Sequence, residues 1–303
     1  MKAKSKKMRE SLKEEILGTL MASGPFIGFL LFSILPLATS LVISFTEMKG
    51  FSFSAARFNG GRSYLQVIHS TYFFDSIKNT LVWLISVPMN MAISLYLANL
   101  LTKGLHGTRF MRTIAFIPSI CSGVGVTLMW QWVLDPVHGV INTVLGWVNL
   151  GPIGFTSTAE WFLPSILLIS IWIQGTNIVL MQSALRNVHE SIKEAARIDG
   201  ATEMVVFWKV VFPCVTPTLF YTLVTNLVVA MQEMQIMQLI TSNGVGPGNK
   251  AITVAYYMYR MAWVNYGSEG MGMASAFSWM VAVVVILVTR LNFWLSKKWV
   301  HYE

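Results

Sequence analysis

Charged residues are scarce in this chain of 303 residues, because Asp, Glu, Lys and Arg make up only 12% of it. Soluble domains carry roughly 25% charged residues. Hydrophobic residues reach 54% here. The composition excludes an ordinary soluble domain and indicates an integral membrane protein.

The chain also has few residues that could hold a metal ion, a disulfide framework or a nucleotide. Its two cysteines, Cys121 and Cys214, and its five scattered histidines lack the spacing of a metal site. The phosphate-binding pattern GxxxxGK[ST] does not occur, and the apolar runs contain no paired carboxylates. We therefore expect a non-catalytic chain with no metal or cofactor of its own, rather than an intramembrane enzyme.

Six apolar runs meet or approach the roughly 20 residues that a helix needs to cross a bilayer core about 30 Å thick. They cover residues 19–45, 80–101, 114–134, 162–185, 214–240 and 271–291. The predicted fold class is therefore an all-α integral membrane protein with six transmembrane helices.

The distribution of positive charge predicts the orientation, because cytoplasmic loops retain Lys and Arg. Most of the 22 Lys and Arg residues fall on one side when the N-terminus is placed in the cytoplasm. A basic N-terminal segment (residues 1–18) and a short tail (295–303) are therefore predicted to be cytoplasmic, flanking one membrane domain (19–294). This bias also accounts for much of the net charge of +8, so nucleic-acid binding is not expected.

The connection predicted between the fourth and fifth spans, residues 186–213, is more polar than the runs on either side. It contains the stretch EAARIDGATEMVVFWKVVFP. Ser191 and Glu194 have the spacing of a capping box, in which two side chains satisfy free backbone amides at a helix start. A short helix is therefore predicted to begin at Ser191.

A turn and a second short helix are predicted to follow. Asp199-Gly200 supplies residues that tolerate a turn or a positive φ. Thr202 is a suitable N-cap for a helix that runs toward Val211 and ends before Pro213. From these residues alone, the segment fits a solvated connector, an interfacial helix pair or a surface that a partner protein covers.

The same segment resembles the EAA loop of ATP-binding-cassette importer permeases. The matching pattern is Glu194-Ala195-Ala196, then Gly200, then Val210 and Phe212-Pro213. The family has Ile and Leu where this chain has Val210 and Phe212. In this family the loop docks into a groove of the cytoplasmic ATPase and transmits its closure to the spans. The resemblance thus implies a set of ATPase-coupling residues, which are Glu194, Ala195, Ala196, Arg197, Asp199, Gly200 and Pro213.

Three further stretches are similar to the carbohydrate-uptake, maltose-type branch of that family. They are RFNGGRSYLQVIHSTYFFDSIKNT, RFMRTIAFIPSICSGVGVTLMWQWVLDP and TSNGVGPGNKAITVAYYMYRMAWVNY. The resemblance implies one permease subunit of a sugar importer in a bacterial plasma membrane. It implies as partners a second homologous permease, two ATPase subunits that use ATP and Mg, and an extracytoplasmic binding protein.

Polar residues in the fifth predicted span indicate a substrate path, because ionisable groups inside a membrane are costly and usually face a cavity or a partner. Glu233 is the only carboxylate in the six spans, and Asn226 precedes it on roughly the same helical face. Gln232, Gln235 and Gln238 extend this polar stripe. A position near the outer interface, or a pairing with another subunit, explains Glu233 equally well.

Trp172, Gln174 and Asn177 form a comparable but weaker group in the fourth predicted span. Amides and aromatic faces suit sugars, although helix or lipid packing also accounts for Trp172. No Lys or Arg lies mid-span, which favours a neutral oligosaccharide as substrate. The alternatives are an importer of another solute, such as a glycerol phosphate or an acidic saccharide, and an ion-coupled secondary transporter. The secondary transporter explains Glu233 but not the EAA spacing.

Overall fold

A computed structural model describes residues 2–48, 50, 52, 54, 56–104, 106–265, 267 and 270–300, with side chains from residue 13 onward. The chain begins with one continuous helical stretch that includes a π-helical turn. Its parts are α1 (Lys2–Phe29), the π turn Leu30–Ile34 and α2 (Leu35–Ser44). The apolar part, Lys13–Ser44, is 32 residues long, and the most apolar window within it buries no residue against the rest of the chain.

The next connection contains a short hairpin and a short helix. Strand β1 (Thr46–Glu47) pairs antiparallel with β2 (Arg57–Phe58), and α3 (Arg62–Ile68) follows. The second candidate span is Phe73–Thr102, built from α4 (Phe73–Leu84) and α5 (Ser86–Thr102).

The third and fourth candidate spans are bent pairs of helices. Helices α6 (Thr108–Ile120) and α7 (Gly123–Val133) meet at 103°, and α9 (Ala159–Trp172) and α10 (Gly175–Asn187) meet at 50°. Helix α8 (Val140–Trp147) lies between the two pairs in the chain.

The fifth span is continuous with the helix that precedes it. It consists of α12 (Glu203–Val206), the π turn Phe207–Val211, α13 (Phe212–Met231) and, after a three-residue interruption, α14 (Gln235–Ile240). Helix α11 (Glu190–Ile198) lies just before it.

The last part of the chain folds back into the core before the final helix. It contains the 3-10 turn Pro247–Asn249, α15 (Val254–Tyr259), the π turn Arg260–Val264 and α16 (Gly270–Ser296). Two side chains of α4 fix this part: Asn79 donates its amide to the carbonyl oxygens of Asn249 and Ile252, and the Thr80 hydroxyl accepts the Val254 N–H.

The core lies where α5 packs along α10, and the fully buried side chains include Ile166, Ile169, Met181, Tyr256 and Tyr257. Helix α16 packs against α2, and α7 packs against α14. Among the described residues the two short strands are the only β structure. The predicted all-α class is therefore confirmed.

The third and fourth predicted spans are bent, a feature that the prediction of six spans did not include. Four helices are long and apolar enough to cross a membrane, and the count reaches six if each bent pair is one span. The two breaks pack close together, because a Cβ on Gly175 would lie 2.5 Å from Ser119 Oγ and 2.8 Å from the carbonyl oxygen of Ala115. Hydropathy alone does not detect these breaks, because the residues on both sides of each are apolar.

Candidate functional site

Helix α11 begins the charged part of the 186–213 loop, one residue earlier than predicted. Its N-cap is His189, and no side chain hydrogen-bonds to the cap. Ser191 already lies in the first turn, where its hydroxyl cannot serve as the N-cap. The predicted capping box of Ser191 and Glu194 is therefore wrong.

An ion network joins α11 to the helix that follows. Arg197 donates from Nε to Glu203 Oε1 at 2.8 Å and from Nη1 to Glu190 Oε1 at 3.1 Å, and Lys193 Nζ lies 2.9 Å from Glu190 Oε2. Hydrogen bonds from Lys193 and then Arg197 hold the pKa of the Glu190 carboxyl below its ordinary value. The bonds to Glu203 and then Glu190 raise the pKa of Arg197. Arg197 thus fixes the relative position of α11 and α12.

Gly200 makes the turn between these helices, as its sequence context predicts. Its φ is +83°, and the Ala201 N–H donates to the carbonyl oxygen of Ala196 at 3.0 Å. This is the bond of a helix C-terminal turn that requires a left-handed residue, for which glycine is favoured. A Cβ at Gly200 would meet nothing within 4 Å, so a substitution there strains the backbone without a steric clash.

The outer surface of α11 is open. Glu194, Ala195 and Asp199 are exposed, and Ile198 is 86% exposed although it is strongly apolar. Ala196 is half-buried and packs against the core. The predicted coupling residues therefore divide into an open face, the inward-facing Ala196 and the ion-paired Arg197.

The second helix is not short, which corrects the prediction. Thr202 occupies the N-cap of α12 without a side-chain cap bond. The helix then continues through the π turn Phe207–Val211 into α13, with Pro213 in its first turn. Proline lacks an N–H and crowds the carbonyl four residues earlier, and a π turn at this point accommodates both effects.

The predicted polar stripe of the fifth span is divided by a helix break. Helix α13 ends at Met231 and α14 starts at Gln235. Glu233 lies in the break, half-buried, and its Oε1 accepts the Ile236 N–H at 3.0 Å. Asn226, half-buried in α13, therefore does not share a continuous helical face with Glu233, and that expectation is wrong.

The exposed amides of the stripe lie beside a second break. Gln232 and Gln235 are both exposed. A Cβ on Gly123, the first residue of α7, would lie 3.2 Å from Gln235 Oε1. The break of the fifth span and the break of the third span are therefore in contact.

The fourth-span residues lie at the break between α9 and α10. Trp172 is half exposed and meets Trp130 edge to face at 5.8 Å between ring centroids. Asn177 donates its amide to Gln174 Oε1 at 2.7 Å, and Gln174 donates to the carbonyl oxygen of Ser170 at 2.7 Å. Gln174 thereby satisfies a backbone carbonyl beside the bend. No contact joins Trp172 or Asn177 to Glu233 among the interactions of the described residues.

Arg260 was not among the predicted site residues. This residue lies outside the predicted spans, yet the folding of α15 into the core leaves it only 9% exposed. Its Nη1 donates to the carbonyl oxygen of Asn243, its guanidinium lies 5.8 Å from the Tyr256 ring centroid, and its Nε has no partner. The Tyr256–Arg260 spacing of one helical turn is the sequence signal that could have indicated this contact.

Across the residues that the structure describes, no group of three His, Cys, Asp or Glu side chains could hold a metal ion.

The long apolar helices, the two bent helix pairs and the charged loop between the fourth and fifth candidate spans are typical of a helical membrane protein of the permease class. The chain belongs to the family described as "Binding-protein-dependent transport system inner membrane component", whose model matches residues 92–301. It is accordingly an inner-membrane permease, as the resemblance implied.

Curated relatives are similar over nearly the whole chain. The probable ABC transporter permease protein YesP of Bacillus subtilis (strain 168) is 31% identical over 98% of this chain and 96% of the relative. The lactose transport system permease protein LacF of Rhizobium radiobacter is 25% identical over 96% and 98%. The sn-glycerol-3-phosphate transport system permease protein UgpA of Escherichia coli O157:H7 is 28% identical over 94% and 95%.

The fold also matches a solved transporter. A chain in the crystal structure of a bacterial ABC transporter involved in the import of the acidic polysaccharide alginate superposes with a TM-score of 0.79 at 22% identity, covering 96% of this chain and 99% of that chain. The identity is low, so the likeness concerns the fold.

Proposed function

We propose that the chain is one of two homologous permease subunits of an ATP-driven, binding-protein-dependent sugar importer. Its six spans form half of the pathway, both termini lie in the cytoplasm, two ATPase subunits dock at the 186–213 loop, and an extracytoplasmic binding protein delivers an oligosaccharide. The names of the lactose and alginate transporters similar to this chain support a saccharide substrate.

The geometry of the 186–213 loop carries this proposal. Helix α11 presents an open face with the charged Glu194, and the apolar Ile198 lies exposed at its end. A face of mixed polarity with one exposed apolar side chain is available to a protein partner. Arg197 attaches α11 to Glu203, the first residue of α12. A displacement of α11 is therefore transmitted directly to α12.

That helix is long enough to connect the loop with the polar break. It runs without interruption from Glu203 to Met231, which corresponds to roughly 40 Å at 1.5 Å per residue. Its far end adjoins Gln232, Glu233 and Gln235. Movement of the ATPases can thus reach the proposed substrate path through a single element.

The proposed substrate path consists of polar and aromatic residues at the breaks. Helix breaks within a membrane are tolerated where they are buried in protein or line a cavity. Amides and an exposed indole can bind sugar hydroxyls and the apolar sugar face. The contributing residues are Asn226, Gln232, Glu233, Gln235, Trp172 and Asn177.

The buried guanidinium of Arg260 supports a second candidate function, which is the import of an anionic solute. An unpartnered guanidinium N–H at a buried site is costly, and an anion would satisfy it. The relative named for sn-glycerol-3-phosphate fits that chemistry. Uptake of matched neutral and acidic saccharides by Arg260→Gln distinguishes the candidates, because only acidic uptake should fall if Arg260 meets the substrate.

Gly200→Val tests the coupling role, and Gly107→Val is its matched control. Both glycines have φ +83° and nothing within 4 Å of an added Cβ, so valine strains each backbone equally, by about 1–3 kcal/mol. In the reconstituted complex, Gly200→Val should lower ATPase retention or substrate-stimulated ATP hydrolysis, together with uptake, while Gly107→Val keeps these activities. Equal behaviour of the two variants would make the loop a simple connector.

A further inference from the structure

Helix α8 presents an apolar face that no described residue of this chain covers. Val140, Val144 and Trp147 lie along that face and are 53%, 47% and 78% exposed. The opposite face is covered, because Ile141 and Leu145 pack against the core. Helix α8 therefore has one apolar face that packs against the core and a second apolar face that is exposed.

Hydrogen bonds fix α8 in place. The Asn142 amide donates to the carbonyl oxygens of Asp135 and Ile153 at 3.1 and 3.0 Å, and Asn142 Oδ1 accepts the Ile153 N–H at 2.8 Å. The Asp135 carboxylate in turn accepts the N–H groups of Val137 and His138. The exposed face of α8 therefore has a fixed position relative to the ends of α7 and α9.

Exposed tryptophans mark that position as a membrane interface. Trp132 lies in the last turn of α7, Trp161 lies in the first turn of α9, and both are exposed. Tryptophan is enriched where spans meet the headgroup region. Trp147 on α8 lies in the chain between these two residues, so all three indoles belong to the same end of the third and fourth spans.

The charge of the segment argues against a water-facing surface or a releasable soluble partner. Residues 136–159 contain no Asp, Glu, Lys or Arg. Exposed apolar area costs about 25 cal/mol per Å² in water, and transient partners are steered by complementary charge. An uncharged apolar face fits the boundary between headgroups and acyl chains, where binding depends on buried apolar area.

We propose that α8 is an interfacial helix that inserts Val140, Val144 and Trp147 into the adjacent lipid leaflet. It holds the neighbouring ends of the third and fourth spans at constant depth. The proposal requires the membrane location of the chain but is independent of the transported solute and of the coupling mechanism.

Depth-dependent quenching of a fluorescent label tests this proposal in the assembled transporter. The background variant carries Cys121→Ser and Cys214→Ser, which remove both native cysteines. Single variants Val144→Cys and, independently, Val140→Cys are labelled with the fluorophore NBD and placed in phosphatidylcholine nanodiscs. Leu31→Cys in the first span is the control for deep lipid exposure, and Ser54→Cys, at an exposed position between β1 and β2, is the control for water exposure.

The expected pattern is specific to shallow insertion. NBD at 144 and 140 should lose more fluorescence to lipids with a doxyl group at carbon 5 than at carbon 12, and little to aqueous iodide. Leu31→Cys should favour the deeper quencher, and Ser54→Cys should respond to iodide.

Two results would overturn the interfacial assignment. Iodide quenching at both α8 positions would place the face in water. Protection from all quenchers, either constantly or only after a binding protein is added, would identify a protein partner instead of lipid.

Discussion

At the residue scale, Glu233 has a structural contact that competes with a direct role in transport. Its carboxylate accepts the Ile236 N–H, and the Glu233 carbonyl accepts the Thr253 hydroxyl at 3.2 Å. Both contacts shape the break between α13 and α14. A glutamine retains a side-chain acceptor of similar size, whereas alanine does not.

Replacement of Glu233 by Ala and by Gln separates these roles. We expect Glu233→Ala to reduce uptake with assembly intact, because loss of an acceptor from a buried N–H costs about 1–3 kcal/mol. Glu233→Gln should retain most uptake if hydrogen bonding is the main contribution. Uptake kinetics and co-purification of the ATPase are the measurements. Equal loss in both variants would show that the negative charge itself is required.

Asn226→Ala provides a separate test of the substrate path. Asn226 lies in the body of α13 rather than in the break, so its loss should leave the break intact. We expect weaker uptake and normal ATPase assembly. Tyr221→Phe, at an exposed position of the same helix, is the control, and unchanged uptake in Asn226→Ala would remove this residue from the path.

Arg197 is expected to act through Glu203 as well as at the docking surface. Arg197→Gln and Glu203→Gln each break the link between α11 and α12, so each should lower substrate-stimulated ATP hydrolysis. The double variant should be little worse than Arg197→Gln, because residues in one ion network are not additive. Fully additive losses in this cycle would mean that the two side chains act independently.

At the element scale, the breaks in the third and fourth spans depend on close helix contact. Gly175 lies where α10 meets α6, and an added Cβ would be 2.9 Å from Phe116 Cα. Backbone atoms cannot move aside as a flexible side chain can. The contact therefore requires glycine for space rather than for a positive φ.

Gly175→Ala should destabilise the protein by about 1–3 kcal/mol through overpacking. The thermal midpoint of the detergent-purified complex should fall. Gly146→Ala is the matched control, because that glycine lies in α8 with nothing within 4 Å of an added Cβ. A midpoint that is unchanged in Gly175→Ala would show that α6 and α10 can separate at this point without cost.

The sequence predicts features that depend on local chemistry and misses those that depend on tertiary contact. The apolar runs and the turn at Gly200 follow from composition and from glycine after a helix, and the structure contains both. The break before Gly123 lies against Gln235, and the buried Arg260 lies against Tyr256, and both contacts exist only after the chain has folded. The capping box failed because the helix starts at Glu190, one residue before Ser191.

At the scale of the whole molecule, the uninterrupted helix from Glu203 to Met231 connects the 186–213 loop with the helix breaks. The first span contributes little to this connection, since its most apolar window is unburied in the chain. In the proposed coupling mechanism, transmission therefore depends on the stiffness of one helix and on its attachment to α11 through Arg197.

An insertion that makes this helix flexible should uncouple ATP hydrolysis from uptake. We expect two glycines inserted after Val211 to leave α11 and its docking surface intact, since those residues precede the insertion. ATPase retention and basal hydrolysis should persist, whereas stimulation by substrate and uptake should be lost because movement is absorbed at the flexible point. The same insertion after Gly104, in the connection between α5 and α6, is the control for added length and should retain uptake. Normal uptake after the insertion at Val211 would show that the ATPases reach the substrate path by another route, and the continuous helix would then have only a structural role.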